Sequence, residues 1–118
     1  MNILLADDEE GILRIYRELL EGNGHTVSVA SKGSEVLRSL EETEFEMLIL
    51  DLFMPEMDGF VAIQTLRDRG YKVPVIVMTG HFPDEVVYRR LEGLGVSAIL
   101  RKPVMISTLL NAVNEALS

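Results

Sequence analysis

The chain has 118 residues, 47% of them apolar and 25% charged, the size and usage of one folded domain, which argues against disorder. It has no cysteine, so disulfides and thiolate metal sites are excluded, and a net charge of −8 with scattered Lys and Arg argues against direct nucleic-acid binding. No apolar run approaches the roughly 20 residues of a membrane span, and the N-terminus lacks a signal peptide's basic start and long apolar segment, so a cytoplasmic protein without membrane contact is expected.

Residues 2–6 form a short apolar run halted by Asp7 and Asp8, and residues 11–21 carry Ile12, Ile15, Tyr16 and Leu19 at helical spacing. Gly22, Asn23 and Gly24 end that helix. A strand over 26–30, a helix over 34–40 and the most hydrophobic strand, 47–50, follow, the last running directly into Asp51. A helix over 60–67, a strand over 73–78, a helix over 84–94, a strand over 98–100 and a closing helix over 106–117 complete the pattern. Five strands alternating with five helices predict an α/β domain spanning 1–118, a doubly wound five-stranded parallel sheet covered on both faces. The closing helix reaches the end of the chain without a linker, which fits a single-domain protein and an excised domain equally.

In such sheets ligands bind beyond the carboxyl ends of the strands. Asp7 and Asp8 follow the first strand, Asp51 ends the third, Thr79 ends the fourth and Lys102 ends the fifth. If the acid-bearing strands are neighbours, three carboxylates converge, and their repulsion calls for a cation. Oxygen donors of this kind suit Mg²⁺ or Mn²⁺, with Asp8 and Asp51 as direct ligands and Asp7 holding a water. A carboxylate beside such an ion can attack a phosphoryl donor and form an acyl phosphate. Lys102 supplies a point charge for Asp51 and then for a phosphoryl oxygen, and Thr79 a hydroxyl donor for another.

The motifs Asp7-Asp8, Asp51-Leu-Phe-Met-Pro-Glu-Met-Asp-Gly59, Met78-Thr79-Gly80 and Lys102-Pro103, in this order and spacing, resemble the receiver domain of bacterial two-component response regulators. The resemblance implies a flavodoxin-like (β/α)5 fold with strand order 2-1-3-4-5. It implies that Asp51 is the phosphoacceptor, with a sensor histidine kinase or phosphotransfer protein as donor. It also implies Mg²⁺ held by Asp8, Asp51 and the main-chain carbonyl of Phe53 with Asp7 in the outer shell, and a cis peptide before Pro103. The protein is then a switch that catalyses only its own phosphotransfer and dephosphorylation. Its output surface, and a candidate dimer contact, is the face of the fourth helix, fifth strand and fifth helix.

Several residues also have plain structural readings. Glu9 and Glu10 suit the acidic first turn of a helix, and Asp58 suits the cap of the next one. Met54 reads as a plug, Pro55 as loop shaping, and His25 as solvent-facing. Ile99 stands three residues before Lys102, where receivers commonly carry Tyr or Phe, so the expected signal runs through the loop after Thr79 and its following helix instead. Gly80, His81 and Phe53 fall on the pocket rim, with Phe53 expected to impede water and, with His81, to set the acyl-phosphate lifetime. A phosphatase of the haloacid-dehalogenase type would need a second acid two residues after the nucleophile, where this chain has Phe53. A non-phosphorylated interaction module would not need the intact set Asp8, Asp51, Thr79 and Lys102.

Overall fold

A computed structural model describes residues 1–54, 57–81 and 83–117. The expectation placed on Pro55 lies outside the described residues. The chain runs β1 (Asn2–Ala6), α1 (Glu10–Gly22), β2 (Thr26–Ala30), α2 (Gly33–Glu42), β3 (Met47–Asp51), β4 (Phe53–Met54), β5 (Met57–Asp58) and α3 (Gly59–Asp68). It continues with β6 (Val75–Thr79), α4 (Glu85–Gly93), β7 (Val96–Arg101) and α5 (Ile106–Leu117). The parallel sheet has the order β2-β1-β3-β6-β7, which is 2-1-3-4-5 when the small antiparallel pair β4-β5 is left out.

The strands read as unbroken apolar runs because both sheet faces are covered. Leu4, Leu48, Leu50, Val75 and Val77 face Val36 and Leu40 of α2, Ile63 and Leu66 of α3, and Leu91 of α4. The alternate residues Ile3, Leu5, Ile49, Ile76 and Met78 face Leu13, Tyr16 and Leu20 of α1 and Leu109 and Val113 of α5. The antiparallel pair was not foreseen, because two-residue strands carry no periodicity to read. Met54 is buried in the first cluster, so its plug role is seen.

Element ends differ from the expected ones for local reasons. The strand expected from residue 73 starts at Val75, because Pro74 has no N–H to give the ladder. The strand expected over 98–100 extends to Val96–Arg101, pairing along β6 with an irregularity near Val75. Asp84 is the cap of α4 and not its first residue, its Oδ1 accepting the Val87 N–H at 2.9 Å. His25 is half-buried and not solvent-facing, because the turn folds its Nδ1 inward, where it has no hydrogen-bond partner among the described residues.

Two contacts fix the ends of the sheet. Arg67 donates Nε–H to Leu94 O at 2.7 Å and a second nitrogen to Tyr71 O and Val73 O at 2.9 Å each, joining the chain before β6 to the chain before β7. At the opposite end a Cβ on Gly59 would lie 2.5 Å from Leu52 O, so only glycine lets α3 start against the segment that follows Asp51.

Candidate functional site

The sheet register brings the polar residues together. Ala6 pairs with Leu50, so Asp7 and Asp51 leave adjacent strands side by side. Asp51 in turn lies beside Met78, and Thr79 pairs with Arg101, which sets Lys102 at the same edge. The Lys102 N–H donates to Thr79 O at 2.8 Å. The Lys102–Pro103 peptide is cis.

Lys102 Nζ lies 3.0 Å from Asp51 Oδ2, 2.6 Å from Asp7 Oδ2 and 3.7 Å from Glu9 Oε1. Asp7 and Asp51 are buried, and the Lys102 side chain is only 10% exposed. The other Asp51 oxygen, Oδ1, accepts the Phe53 N–H at 3.1 Å. Asp7 Oδ1 accepts the Glu9 N–H at 3.0 Å, which aims the Asp7 carboxylate inward at the entrance to α1. Asp7 Oδ2 and Lys102 form the shortest ion pair of the site.

One ammonium among several carboxylates leaves the acids under-compensated. Burial holds the Asp51 carboxyl above its usual range, and the Asp7 charge adds to this, while Lys102 and the Phe53 N–H pull the other way without prevailing. Burial alone would lower the Lys102 pKa, but its two carboxylate partners outweigh it and hold the ammonium above its ordinary range.

Asp7, Asp8 and Asp51 each offer one carboxylate oxygen, all within 4.8 Å of one another. Asp8 is exposed, so the cluster opens to solvent. Hard oxygen donors and excess negative charge together fit a small divalent cation. A cavity of 280 Å³ lies over them, with Asp8 and Glu9 from the β1–α1 loop, Phe53 from β4, Gly80 and His81 from the β6–α4 loop, and Asp51 and Lys102 below.

Thr79 is fully buried, and its hydroxyl is committed to the loop: Oγ1 donates to His81 O at 2.8 Å and accepts the His81 N–H at 3.2 Å. The imidazole of His81 meets the Phe53 ring edge-on, with centroids 6.4 Å apart. A Cβ at Gly80 would meet no atom within 4 Å, so the space beside the cavity is open. Ile99 does not enter the cavity; it packs half-buried against the cluster under α2, α3 and α4.

Glu9 is the site residue that the helix-turn reading missed. Its adjacency to the acidic pair was the available signal, since the turn that ends β1 carries Asp7 and Glu9 to Lys102. Tyr16, one of the helically spaced residues of α1, donates its hydroxyl to Val104 O at 3.2 Å, tying α1 to the segment after Pro103. A larger cleft, 510 Å³ beside α1, lies away from this chemistry, and its charges pair internally as Arg14–Glu18 at 3.7 Å and Arg17–Glu21 at 3.3 Å.

The family model of the response regulator receiver domain matches residues 3–114. The transcriptional regulatory protein GlrR of Escherichia coli is 35% identical over 98% of this chain and 26% of its own length. The response regulator MprA of Mycobacterium leprae is 32% identical over 99% of this chain and 51% of its own length. The chain therefore spans only part of these curated relatives. The solved structure of the Vibrio cholerae chemotaxis protein CheY4 superposes with a TM-score of 0.89 at 28% identity, covering 98% of each chain.

Proposed function

This chain belongs to the response regulator receiver family, and from that membership we propose that residues 1–118 form one receiver domain in which Asp51 accepts a phosphoryl group. Receiver domains act as signalling switches of two-component systems. The observation that carries the assignment is the pairing of buried Asp51 with Lys102 at 3.0 Å beside the oxygens of Asp7 and Asp8.

The donor is a phosphohistidine of a sensor kinase or phosphotransfer protein. An Asp51 oxygen attacks phosphorus; the O–P bond forms as the N–P bond breaks, and the imidazole leaves with the electron pair and takes a proton from solvent. Asp8, Asp51 and the Phe53 carbonyl would hold Mg²⁺, with Asp7 in its outer shell and Mn²⁺ as a substitute. Bound there, the ion supplies positive charge to the phosphoryl oxygens. Lys102 transfers its contact from Asp51 to a phosphoryl oxygen. Incubation with Mg²⁺ and acetyl phosphate followed by intact mass measurement tests the proposal: a one-phosphoryl increment supports it, and an unchanged mass overturns it.

Thr79 carries the consequence outward. Its hydroxyl has a single proton, now given to His81 O, so donating it to a phosphoryl oxygen releases that carbonyl and loosens the 80–84 loop. With Ile99 packed in the core, the signal passes through this loop and α4, and the α4–β7–α5 face is the output and dimer surface. Amide exchange with a beryllofluoride mimic should change across residues 80–94; an unchanged segment would sink this route.

Phe53, 55% exposed, and His81 cover the cavity as an edge-on pair and restrict the water that hydrolyses the acyl phosphate. Phe53→Asn replaces an apolar ring with an amide able to hold water, and the loss of phosphoryl adduct should then run severalfold faster. An unchanged rate counts against it. A site in the cytoplasm agrees with the charge and composition, and among the described residues no helix is long and apolar enough to cross a membrane.

A further inference from the structure

Between α3 and α4, next to the Asp51 cavity, lies a separate groove of 450 Å³. Ligand pockets typically span about 300–1,000 Å³, so this volume is ample for one or two side chains. Leu52, Phe60, Pro83 and Val87 give it apolar surface, and Phe53 and His81 are shared with the Asp51 cavity.

Two carboxylates complete the lining, Asp58 and Asp84. Both cap helices, and each spends Oδ1 on backbone: Asp58 on the Phe60 and Val61 N–H groups at 2.9 and 3.4 Å, Asp84 on the Val87 N–H at 2.9 Å. Among the described residues neither Oδ2 is hydrogen-bonded or ion-paired, so two charged acceptors stand beside apolar surface. Phe60 shows what such a wall holds: the chain's own Arg90 places its guanidinium 5.9 Å from the Phe60 ring centroid.

We propose that this groove docks a partner-protein segment presenting an arginine next to an aromatic side chain. The aromatic ring covers the apolar surface, and the guanidinium reaches the free Asp58 and Asp84 oxygens. Arginine suits it better than lysine, because the planar fork pairs with carboxylates two bonds at a time and stacks on rings. A wholly apolar segment would strip water from two carboxylates without pairing them. An acidic segment would be repelled by both, on a chain of net charge −8. Through the shared Phe53 and His81, the docked segment touches the wall of the Asp51 cavity, and the groove described is that of the unphosphorylated chain.

The test is an amide chemical-shift titration of the full chain with acetyl-Phe-Arg-amide and with its neutral counterpart, acetyl-Phe-citrulline-amide. Saturable shifts should centre on Phe53, Phe60, Asp84 and Val87. An exposed ion pair is worth a factor of about 1.4 to 5 in affinity, so with both acids engaged the citrulline peptide should bind about 2- to 25-fold more weakly. Asp58→Asn with Asp84→Asn should bring the arginine peptide down to that level, while both helices stay formed because Asn caps as well as Asp. The wild-type comparison of the two peptides decides the matter even if the double variant fails to fold. Equal affinity of the two peptides, shifts without saturation, or shifts centred on Asp7, Asp8 and Asp51 would each overturn the proposal.

Discussion

Asp51→Asn should take up no phosphoryl group from acetyl phosphate and Mg²⁺ while folding at least as well as the parent chain. The amide lacks the nucleophilic carboxylate but keeps an oxygen for the Phe53 N–H, and Lys102 retains Asp7. The stability half follows from the direction of the Asp51 shift. Its pKa in the fold is raised above the ordinary 3.8, chiefly by burial. Between 3.8 and that raised value the folded chain keeps a proton that the unfolded chain has released, so stability falls as pH rises through this window. The ionised carboxylate therefore costs stability at neutral pH, and the neutral amide removes the cost. Thermal melts at pH 7 in EDTA should place the variant at or above the parent, with the gap closing towards pH 3.8. A phosphoryl adduct that survives in the variant would refute Asp51 as acceptor; a lower melting point would refute the electrostatic account alone.

Lys102→Met should have the opposite balance and the largest effect on stability. Methionine fills much of the lysine stem's volume but leaves Asp7, 0% exposed, and Asp51, 7% exposed, facing each other without a cation. Removing one partner of a buried pair costs about 3–5 kcal/mol, and the water admitted by the cavity over Asp51 and Lys102 places the cost towards the lower end of that range. The Lys102 pKa is raised above 10.5, so its contribution is complete below that pH and is lost as pH rises through the folded value. In the variant the deficit relative to the parent should be full at pH 7 and shrink as pH falls towards 3.8, where protonation neutralises Asp51 in either state. Urea unfolding in EDTA measures it. If Mg²⁺ binds as proposed, to Asp8 and Asp51 with Asp7 in its outer shell, it should narrow the gap by mass action, since its charge replaces the missing ammonium. A deficit that ignores both pH and Mg²⁺ would show that Lys102 acts by packing.

These two expectations rest on contacts of different legibility. The alternation of strands and helices was readable because burial of both sheet faces leaves a local mark, such as the run of residues 47–50 ending at Asp51. The cap at Asp58 was readable for the same reason, since capping is settled within three residues. The two-residue strands β4 and β5 were not, because they are too short to have a period. His25 was misread because its burial depends on how the turn folds back on the sheet, not on its neighbours in sequence.

By itself, the sequence determined the fold class and the order of the five sheet strands and five helices, and it pointed to the set Asp7, Asp8, Asp51, Thr79 and Lys102, since each ends or follows an apolar strand. Only the tertiary structure decided how these groups are employed. It gave Lys102 three carboxylate neighbours including Glu9, committed the Thr79 proton to His81, set Phe53 against His81, and opened the groove between α3 and α4. The physical reason is distance along the chain. Periodicity and caps are written within a few residues, but Lys102 meets Asp51 across 51 positions, and only strand register brings such partners to within 3.0 Å.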